Sequence, residues 1–292
     1  RWFCRKIVKS IQIIYNLAII IYYMNCWLLI NSTYKNEIEF AILAAKEAGK
    51  LQLSQVNKKN RIIRKSINEL VTMIDIESQK IIEETFIKNN NKYKIFSEEE
   101  LYQNNFPNND LFWIIDPLDG THNYVAGLPF YGSSLALVDI NNIFAGVIYI
   151  PFFDLLVWAV KGNGAFCNGN KIYSSNNKDI SKSMITYDNQ FYLSKNSINN
   201  FKNLISASFT TRIIGSAVYD LCLIAMGIID ARIWNNTKIY DIAAGSLILN
   251  EAGGKTTDFN NNEINLYPKE VIASNGKIHK SIIKVLNYSN KI

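Results

Sequence analysis

Residues 110–128 read DLFWIIDPLDGTHNYVAGL and combine a long apolar run with two aspartates. An apolar run, 111–115, is typical of a buried strand and ends in two carboxylates, Asp116 and Asp119. Pro117 is predicted to end the strand because it has no amide proton, and Gly120 lets the backbone approach a ligand closely. Two carboxylates held this close repel each other unless a cation lies between them. The stretch therefore predicts a metal site at the end of a buried strand.

The composition is that of a globular protein without a nucleic-acid-binding surface. The chain has 292 residues, of which 48% are hydrophobic and 19% charged, enough for one large domain or two fused halves. Its net charge of +6 is spread along the sequence rather than gathered with aromatic residues into one basic face. The cysteines show neither CxxC nor zinc-like spacing, which favours reduced thiols and a cytoplasmic protein. They are Cys4, Cys26, Cys167 and Cys222.

Residues 1–34 form an apolar N-terminal extension with two open interpretations. An uncharged segment, 11–30, has the length of a signal-anchor and follows four basic residues: Arg1, Arg5, Lys6 and Lys9. As an anchor it would leave its N-terminal end in the cytoplasm and send the rest of the chain across a membrane. In the other interpretation the extension does not belong to the working protein, Met24 is the start, and the protein is cytoplasmic.

The remaining sequence predicts two halves, 35–165 and 166–292, that share an interface. In the first half, a helix at 36–53 and strands at 133–139, 143–150 and 155–160 predict helices laid on an antiparallel sheet. In the second half strands and helices alternate. The strands are predicted at 184–187, 212–214, 229–233 and 271–274, and the helices at 198–207, 216–226, 241–252 and 278–286.

Three further carboxylates lie at predicted element boundaries. Asp75 is placed to cap the helix that follows it, Glu98 follows a short strand at 93–96, and Asp241 starts a helix. Taken singly, they are also explained as two helix caps and a solvated acidic turn. Taken with the Asp116 and Asp119 pair, they form an oxygen-only ligand set, which favours magnesium or manganese over zinc.

Gly120 and Thr121 are predicted to open a short helix that runs to residue 126. Amides at a helix start bind phosphate oxygens without any side chain. Divalent metal ions facing a phosphate at a helix start are typical of phosphoryl transfer.

The segment DPLDGTHNY, 116–124, resembles the Asp-Pro-x-Asp-Gly-Thr-x-Asn-Phe signature of the inositol monophosphatase family. Four more segments resemble that family in the same order: LVTMID at 70–75, FSEEE at 96–100, KGNGAFCNG at 161–169 and YDIAAGSLILNEAGG at 240–254. The resemblance covers the chain from about residue 35 to the C-terminus. It implies a layered αβαβα sandwich of mixed α+β and α/β class, the inositol monophosphatase and fructose-bisphosphatase type.

The resemblance also implies roles for individual residues and two or three Mg²⁺ ions. The first ion would be held by Glu98, Asp116 and the backbone carbonyl of Leu118, and the second by Asp116, Asp119 and Asp241. Asp75 would hold a third, weaker ion through water, and lithium would inhibit by occupying the second site. Thr121 and Glu98 would position and deprotonate the attacking water, while Asp119 and the amides of Gly120 and Thr121 would contact the substrate.

Substrate choice is expected in the second half. Gly215, Ser216 and Ala217 keep the substrate-loop pattern that the resemblance implies, and Tyr240 replaces the usual Trp with another aromatic residue. Trp234 stands where inositol-specific members carry a Glu that contacts the hydroxyls of the sugar alcohol. Because an indole N–H only donates, Trp234 places inositol phosphate itself in question. The alternative for Trp234 is a packing residue outside the site.

We therefore expect a Mg²⁺-dependent phosphomonoesterase, usually a homodimer in this family, that acts on a small phosphorylated alcohol of the inositol 1-phosphate kind. Two alternatives share the metal site: a histidinol phosphatase and a 3′(2′),5′-bisphosphate nucleotidase, whose imidazole or purine could stack on Trp234. A third alternative is a non-enzymatic binding protein that regulates RNA metabolism, since a fold alone does not determine function.

Overall fold

The computed structural model describes residues 33–56, 62–64, 70–98, 106–107, 110–193 and 195–287. The predicted anchor at 11–30 lies outside these residues and stays a prediction. Among the helices within the described ranges, none has both the length and the apolarity that crossing a membrane requires. Two of the four cysteines, Cys167 and Cys222, fall in the described part of the chain, and both are free.

The described residues form seven α-helices and fourteen strands. The helices are α1 (Lys35–Gln55), α2 (Met73–Lys88), α3 (Thr121–Ala126), α4 (Lys195–Ala207), α5 (Ala217–Ala225), α6 (Ile239–Glu251) and α7 (His279–Asn287). The strands of the first half are β1 (Ile62–Arg64), β2 (Leu70–Thr72), β3 (Lys94–Ser97), β4 (Phe112–Asp119), β5 (Gly132–Val138), β6 (Ile143–Ile150), β7 (Leu155–Val160), β8 (Ala165–Cys167) and β9 (Asn170–Ile172). Those of the second half are β10 (Met184–Tyr187), β11 (Thr210–Arg212), β12 (Ala231–Trp234), β13 (Lys255–Asp258) and β14 (Val271–Ser274).

Two large sheets organise the molecule, and helices cover them in layers. The first sheet has seven strands in the order β3-β4-β5-β6-β7-β8-β9, antiparallel except for the β3–β4 pair. The second has five strands in the order β11-β10-β12-β14-β13. Helices α1 and α2 pack on one face of the seven-stranded sheet, α5 and α6 lie between the two sheets, and α4 and α7 cover the outer face of the five-stranded sheet. The expected αβαβα sandwich is confirmed.

Strand β4 shows why the opening stretch is so apolar. Successive side chains of a strand point to opposite faces, and both faces of this sheet are covered by helices. Trp113 and Ile115 pack with α1 and α2, whereas Phe112 and Ile114 pack with α5 and α6. All four side chains are buried. A strand buried on both faces leaves no polar alternation in the sequence.

The prediction that Pro117 ends the strand is wrong. Strand β4 continues to Asp119, and its register against β5 shifts between Asp116, which pairs with Ser134, and Asp119, which pairs with Gly132. Three steps along β4 thus match two along β5, which defines a β-bulge. A bulge leaves one residue out of the hydrogen-bond ladder, so a residue without an amide proton is tolerated there. The bulge is therefore what brings the two aspartates into the site.

Other boundaries differ by a few residues. Asp75 and Asp241 do not cap their helices: each lies three residues inside the cap, which is Thr72 for α2 and Lys238 for α6. The predicted strand at 212–214 is found at Thr210–Arg212 instead. Strand β9 continues the seven-stranded sheet to Ile172, and the division into two halves at residue 165 stays a prediction.

Candidate functional site

A cavity of about 670 Å³ opens where the bulge of β4, the start of α3 and the start of α6 meet. Most of the predicted site residues line it: Glu98, Asp116, Leu118, Asp119, Gly120, Thr121, Gly215, Ala217, Trp234 and Asp241. Two predicted residues do not, namely Asp75 and Ser216, and each of them contacts a residue that does. The structure therefore brings together side chains from both halves of the chain.

Three carboxylates form the centre of this cavity. Asp116, Asp119 and Asp241 each offer an oxygen, and these oxygens all lie within 4.8 Å of one another. Asp116 and Asp119 are buried and Asp241 is half-buried. Carboxylate oxygens at this spacing, with no nitrogen or sulfur ligand among them, suit a hard divalent cation such as Mg²⁺.

Hydrogen bonds from α1 and β5 hold the bulge that carries Asp116 and Asp119. The carbonyl of Pro117 accepts hydrogen bonds from Gln52 Nε2 at 2.9 Å and from Ser133 Oγ at 2.8 Å. The amide of Leu118 donates to Asp116 Oδ1 at 3.1 Å. A buried carbonyl removed from its ladder needs such partners. Gln52 lies on α1, so the helix behind the sheet positions the bulge.

The start of α5 holds Asp119 by three hydrogen bonds. The Ser216 hydroxyl donates a short hydrogen bond to Asp119 Oδ2 and also caps α5 by accepting from the Tyr219 amide. The amides of Ala217 and Val218 donate to Asp119 as well, at 3.1 and 3.4 Å. Ser216 is thus a positioning residue behind the carboxylate in the geometry seen here.

Asp241 is oriented by the first turn of α6. Its Oδ2 accepts hydrogen bonds from the Lys238 amide at 3.0 Å and from the Thr237 hydroxyl at 3.1 Å. This is the reciprocal half of a capping box, in which an acid three residues inside a helix satisfies the amide of the cap. The first turn of α6 thereby fixes the orientation of a carboxylate that lies beside Asp116 and Asp119.

The pKa values of the three acids at this centre are raised, so their charged forms are unfavourable without a nearby positive charge. Burial raises the pKa of Asp116 well above its usual value, and the charges of Glu98 and then Asp119 raise it further. Burial also raises the pKa of Asp119 to about 6, against the opposing effects of the Ser216 hydrogen bond and the Arg232 charge. Burial and the charge of Asp119 raise the pKa of Asp241 to about 7. A bound cation would relieve this repulsion, so the residues present fit a metal ion.

Thr121 and Asp75 form a hydrogen-bonded pair beside this centre. The Thr121 hydroxyl lies 3.1 Å from Asp75 Oδ1 and 3.1 Å from the Leu118 carbonyl. The other oxygen of Asp75 accepts from the amide and the hydroxyl of Thr72 at 2.7 and 2.6 Å. Burial raises the pKa of Asp75, and the hydrogen bonds from Thr72 and Thr121 oppose the rise.

Gly120 makes the turn between the bulge and α3 possible. Its φ is +80°, and a Cβ at this position would lie 2.5 Å from the carbonyl oxygen of Phe130. Only glycine combines this conformation with so close an approach. Two residues into the helix, Asn123 donates to the carbonyls of Phe130 at 2.9 Å and Ile214 at 3.0 Å, which ties α3 to the loop at Gly215.

Trp234 lines the cavity but offers little surface to a substrate. Its side chain is only 3% exposed and packs in the apolar core between the sheets. Its ring centroid lies 4.8 Å from the guanidinium carbon of Arg232. A ring this buried leaves almost no surface on which an imidazole or purine could stack as predicted. The more open wall nearby carries Asn189, Gln190, Asn236 and Lys238.

Several residues of the site were not predicted from the sequence, although each is a polar residue within an apolar element. Gln52 is a polar residue on the apolar face that Ala41, Ala45 and Ala48 define on α1, and it is fully buried. Arg232 and Asp220 are single opposite charges inside an apolar strand and an apolar helix, and they pair with each other. A polar residue in an apolar element needs a buried partner.

The sequence is similar to a known protein family and to individual known proteins. A model described as the inositol monophosphatase family matches residues 34–291. The fructose-1,6-bisphosphatase/inositol-1-monophosphatase of Thermotoga maritima is 32% identical over 259 residues, which cover 86% of this chain and 96% of that protein. The Nus factor SuhB of Pasteurella multocida is 34% identical over 251 residues, covering 84% and 94%.

Solved structures agree in fold. The IMPase structure of Thermotoga maritima matches with a TM-score of 0.79 and 31% identity, covering 87% of this chain and 98% of that one. The extragenic suppressor protein suhB of Bartonella henselae matches with a TM-score of 0.79 and 28% identity, covering 85% and 97%.

Proposed function

This chain belongs to the inositol monophosphatase family and is a phosphoric monoester hydrolase, and from that premise we propose that it is a Mg²⁺-dependent phosphatase of small phosphorylated alcohols. The observation that carries the proposal is the cluster of Asp116, Asp119 and Asp241 beside the Thr121–Asp75 pair. The three aspartates and Thr121 line one cavity, which is large enough for a small phosphate ester.

The residues that would hold the cations are those of the carboxylate centre. Asp116, Asp119 and Asp241 supply the oxygens that lie within 4.8 Å of one another. Glu98 and the carbonyl of Leu118 line the same cavity and are proposed as further ligands, which allows for more than one ion. Bound Mg²⁺ would supply charge neutralisation for the phosphate and the leaving alcohol and would acidify a bound water.

Thr121 is placed to orient the attacking water. When its hydroxyl donates to Asp75 Oδ1, its lone pairs are free to accept a hydrogen bond from a water in the cavity. The raised pKa of Asp75 makes that carboxylate a better proton acceptor than an exposed aspartate would be. Glu98, on the cavity wall, is the second candidate to take the proton.

Substrate selection is proposed to rest on polar contacts rather than on stacking. Trp234 is buried against Arg232, so an aromatic leaving group gains no face to stack on. The amide side chains of Asn189, Gln190 and Asn236 line the cavity and can both donate to and accept from hydroxyl groups. This favours a small polyhydroxy alcohol over histidinol or a nucleoside.

A panel of phosphate esters tests the proposal. Phosphate release would be measured with inositol 1-phosphate, fructose 1,6-bisphosphate, histidinol phosphate and 3′-phosphoadenosine 5′-phosphate, with Mg²⁺ and with a chelator. The expected result is Mg²⁺-dependent release, inhibited by lithium, that is fastest with a polyol or sugar ester. Release that is fastest with the nucleotide would overturn the proposed substrate class, and no release from any ester would overturn the proposed activity. A size measurement by light scattering tests the homodimer that we propose by family likeness.

A further inference from the structure

A buried ion pair lies at the wall of the cavity, and its arginine, Arg232, is one of the lining residues. Arg232, on β12, is 5% exposed and Asp220, on α5, is fully buried. Nη1 of Arg232 contacts Asp220 Oδ2 and also donates to the carbonyl of Ser216 at 3.1 Å. The guanidinium therefore contacts the start of α5 at two residues, the cap Ser216 and Asp220 four positions later.

That same turn holds Asp119. Among the described residues, Ser216, Ala217 and Val218 donate hydrogen bonds to the Asp119 carboxylate. Ser216 is bound at both ends, because its hydroxyl donates to Asp119 while its carbonyl accepts from Arg232. A displacement of this turn would move the carboxylate with it.

Trp234 also contacts the buried ion pair, through Arg232. Its ring covers the guanidinium, with 4.8 Å between the ring centroid and the guanidinium carbon, and it is itself almost fully buried. Excluding water strengthens the hydrogen bonds of a charged group. Buried ion pairs contribute little to stability compared with apolar side chains of similar volume. A role at the neighbouring carboxylate is therefore a better explanation for this pair than fold stability.

We propose that Arg232 is a positioning residue for Asp119: by fixing Ser216 it sets the orientation of the carboxylate on which cation binding depends. This inference rests on the proposed cation-dependent function, since it concerns the same site. Asp220 neutralises and orients the guanidinium, and the ring of Trp234 shields it from water.

The first test removes the pair without leaving a charge unpaired. The double variant Asp220→Leu, Arg232→Met replaces both partners with apolar residues, a change that buried ion pairs commonly tolerate. Mn²⁺ binding would be measured without substrate, from the electron paramagnetic resonance signal of free Mn²⁺. We expect the Kd for Mn²⁺ to rise about 10- to 100-fold, the range found when a residue that orients a metal ligand is lost. A folded double variant with wild-type Mn²⁺ affinity would overturn the inference.

A matched control is Asp230→Asn. Asp230 is a buried acid in the same half, but its partners Ser175 and Asn275 lie outside the cavity. This variant should unfold more readily and bind Mn²⁺ as the wild type does. An equal loss of Mn²⁺ affinity in Asp230→Asn would mean that any weakening of the fold has this effect, and the inference would fail.

A second measurement does not depend on the double variant folding. Arg232→Lys keeps the charge but loses the planar fork, and Ser216→Ala removes the hydroxyl that Asp119 accepts from. If Arg232 acts through Ser216, the two substitutions together should weaken Mn²⁺ binding by less than the product of their separate effects. Fully multiplicative effects would contradict the inference. The proposed function fails separately, if the wild type binds Mn²⁺ but releases no phosphate.

Discussion

The hydroxyl of Thr121 lies 3.1 Å from Oδ1 of Asp75, and this contact joins the first turns of α3 and α2 across 46 positions of sequence. Asp75 meets it in a fixed orientation, because its other oxygen is bound twice by Thr72. An ordinary capping box thereby presents a carboxylate oxygen to Thr121, which lines the cavity. One acid serves both the helix and the proposed chemistry.

Loss of the Thr121 hydroxyl should lower kcat more than it changes KM. Thr121→Val keeps the shape of the side chain but cannot orient a water or donate to Asp75, so kcat should fall about 10²- to 10⁴-fold. Thr121→Ser should restore much of the rate. Thr85→Val is the control, because the Thr85 hydroxyl bonds only within α2, to Ile81. Wild-type kcat in Thr121→Val would remove Thr121 from the mechanism.

Without metal, the carboxylate centre should make the protein less stable as pH rises. The folded state keeps the protons of Asp119 and Asp241 up to pKa values of about 6 and 7, whereas an unfolded Asp releases its proton near about 3.9. Between these values the folded state binds more protons, so its free energy of unfolding falls with rising pH. Urea unfolding in a chelator should show this fall in the wild type and a smaller one in Asp241→Asn. Identical pH slopes in the two proteins would contradict the assigned electrostatics.

His279 should have the opposite pH dependence. Its ring nitrogens contact the hydroxyls of Thr257 and Ser274, both at 2.8 Å, and burial lowers its pKa to about 4. Between this value and about 6.5, the pKa of an unfolded His, the unfolded chain binds more protons, so stability falls as pH falls through that window. His279→Gln should lose this acid sensitivity in urea titrations. An unchanged acid sensitivity would show that His279 is not its source.

Glu251 should stabilise the fold without affecting catalysis. Its carboxylate, at the end of α6, accepts from the amides of Gly162 and Gly164, each at 2.7 Å. These bonds join the KGNG loop to the helix that carries Asp241. Glu251→Ala should lower the free energy of unfolding by about 1–3 kcal/mol, because two hydrogen bonds to a charged group are lost. The exposed Glu263→Ala is the control, and equal stability of the two variants would contradict the assigned contact.

The parts of the fold that local sequence determines were predicted well. Strands β7 and β14 have the predicted bounds, because each is an apolar run closed by residues unsuited to a strand. The register of β4 could not be predicted, since tolerance of Pro117 depends on Gln52 and Ser133 behind the bulge. Propensity says nothing about partners that lie far away in sequence.

Some residues of the site could likewise be predicted from the sequence, and others could not. The residues Asp116, Asp119 and Asp241 were predicted from their place at element boundaries, and the structure brings them together. The roles of Ser216 and Arg232 depend on the packing of α5 against β12, which no spacing in the sequence encodes. The sequence left Trp234 open between site and core, and the structure shows that it lines the cavity while its side chain is almost fully buried.

Phosphate release by Asp116→Asn in the presence of Mg²⁺ shows most directly whether the carboxylate cluster binds the catalytic cation. Asp116 lies at the centre of the carboxylate cluster, and its replacement removes a charge while keeping the shape of the side chain. We predict that the rate falls at least about 100-fold, since loss of a direct ligand should cost no less than loss of a residue behind it. The variant should stay folded, and without metal it should be at least as stable as the wild type, because repulsion is relieved. Undiminished Mg²⁺-dependent phosphate release by Asp116→Asn would contradict the account.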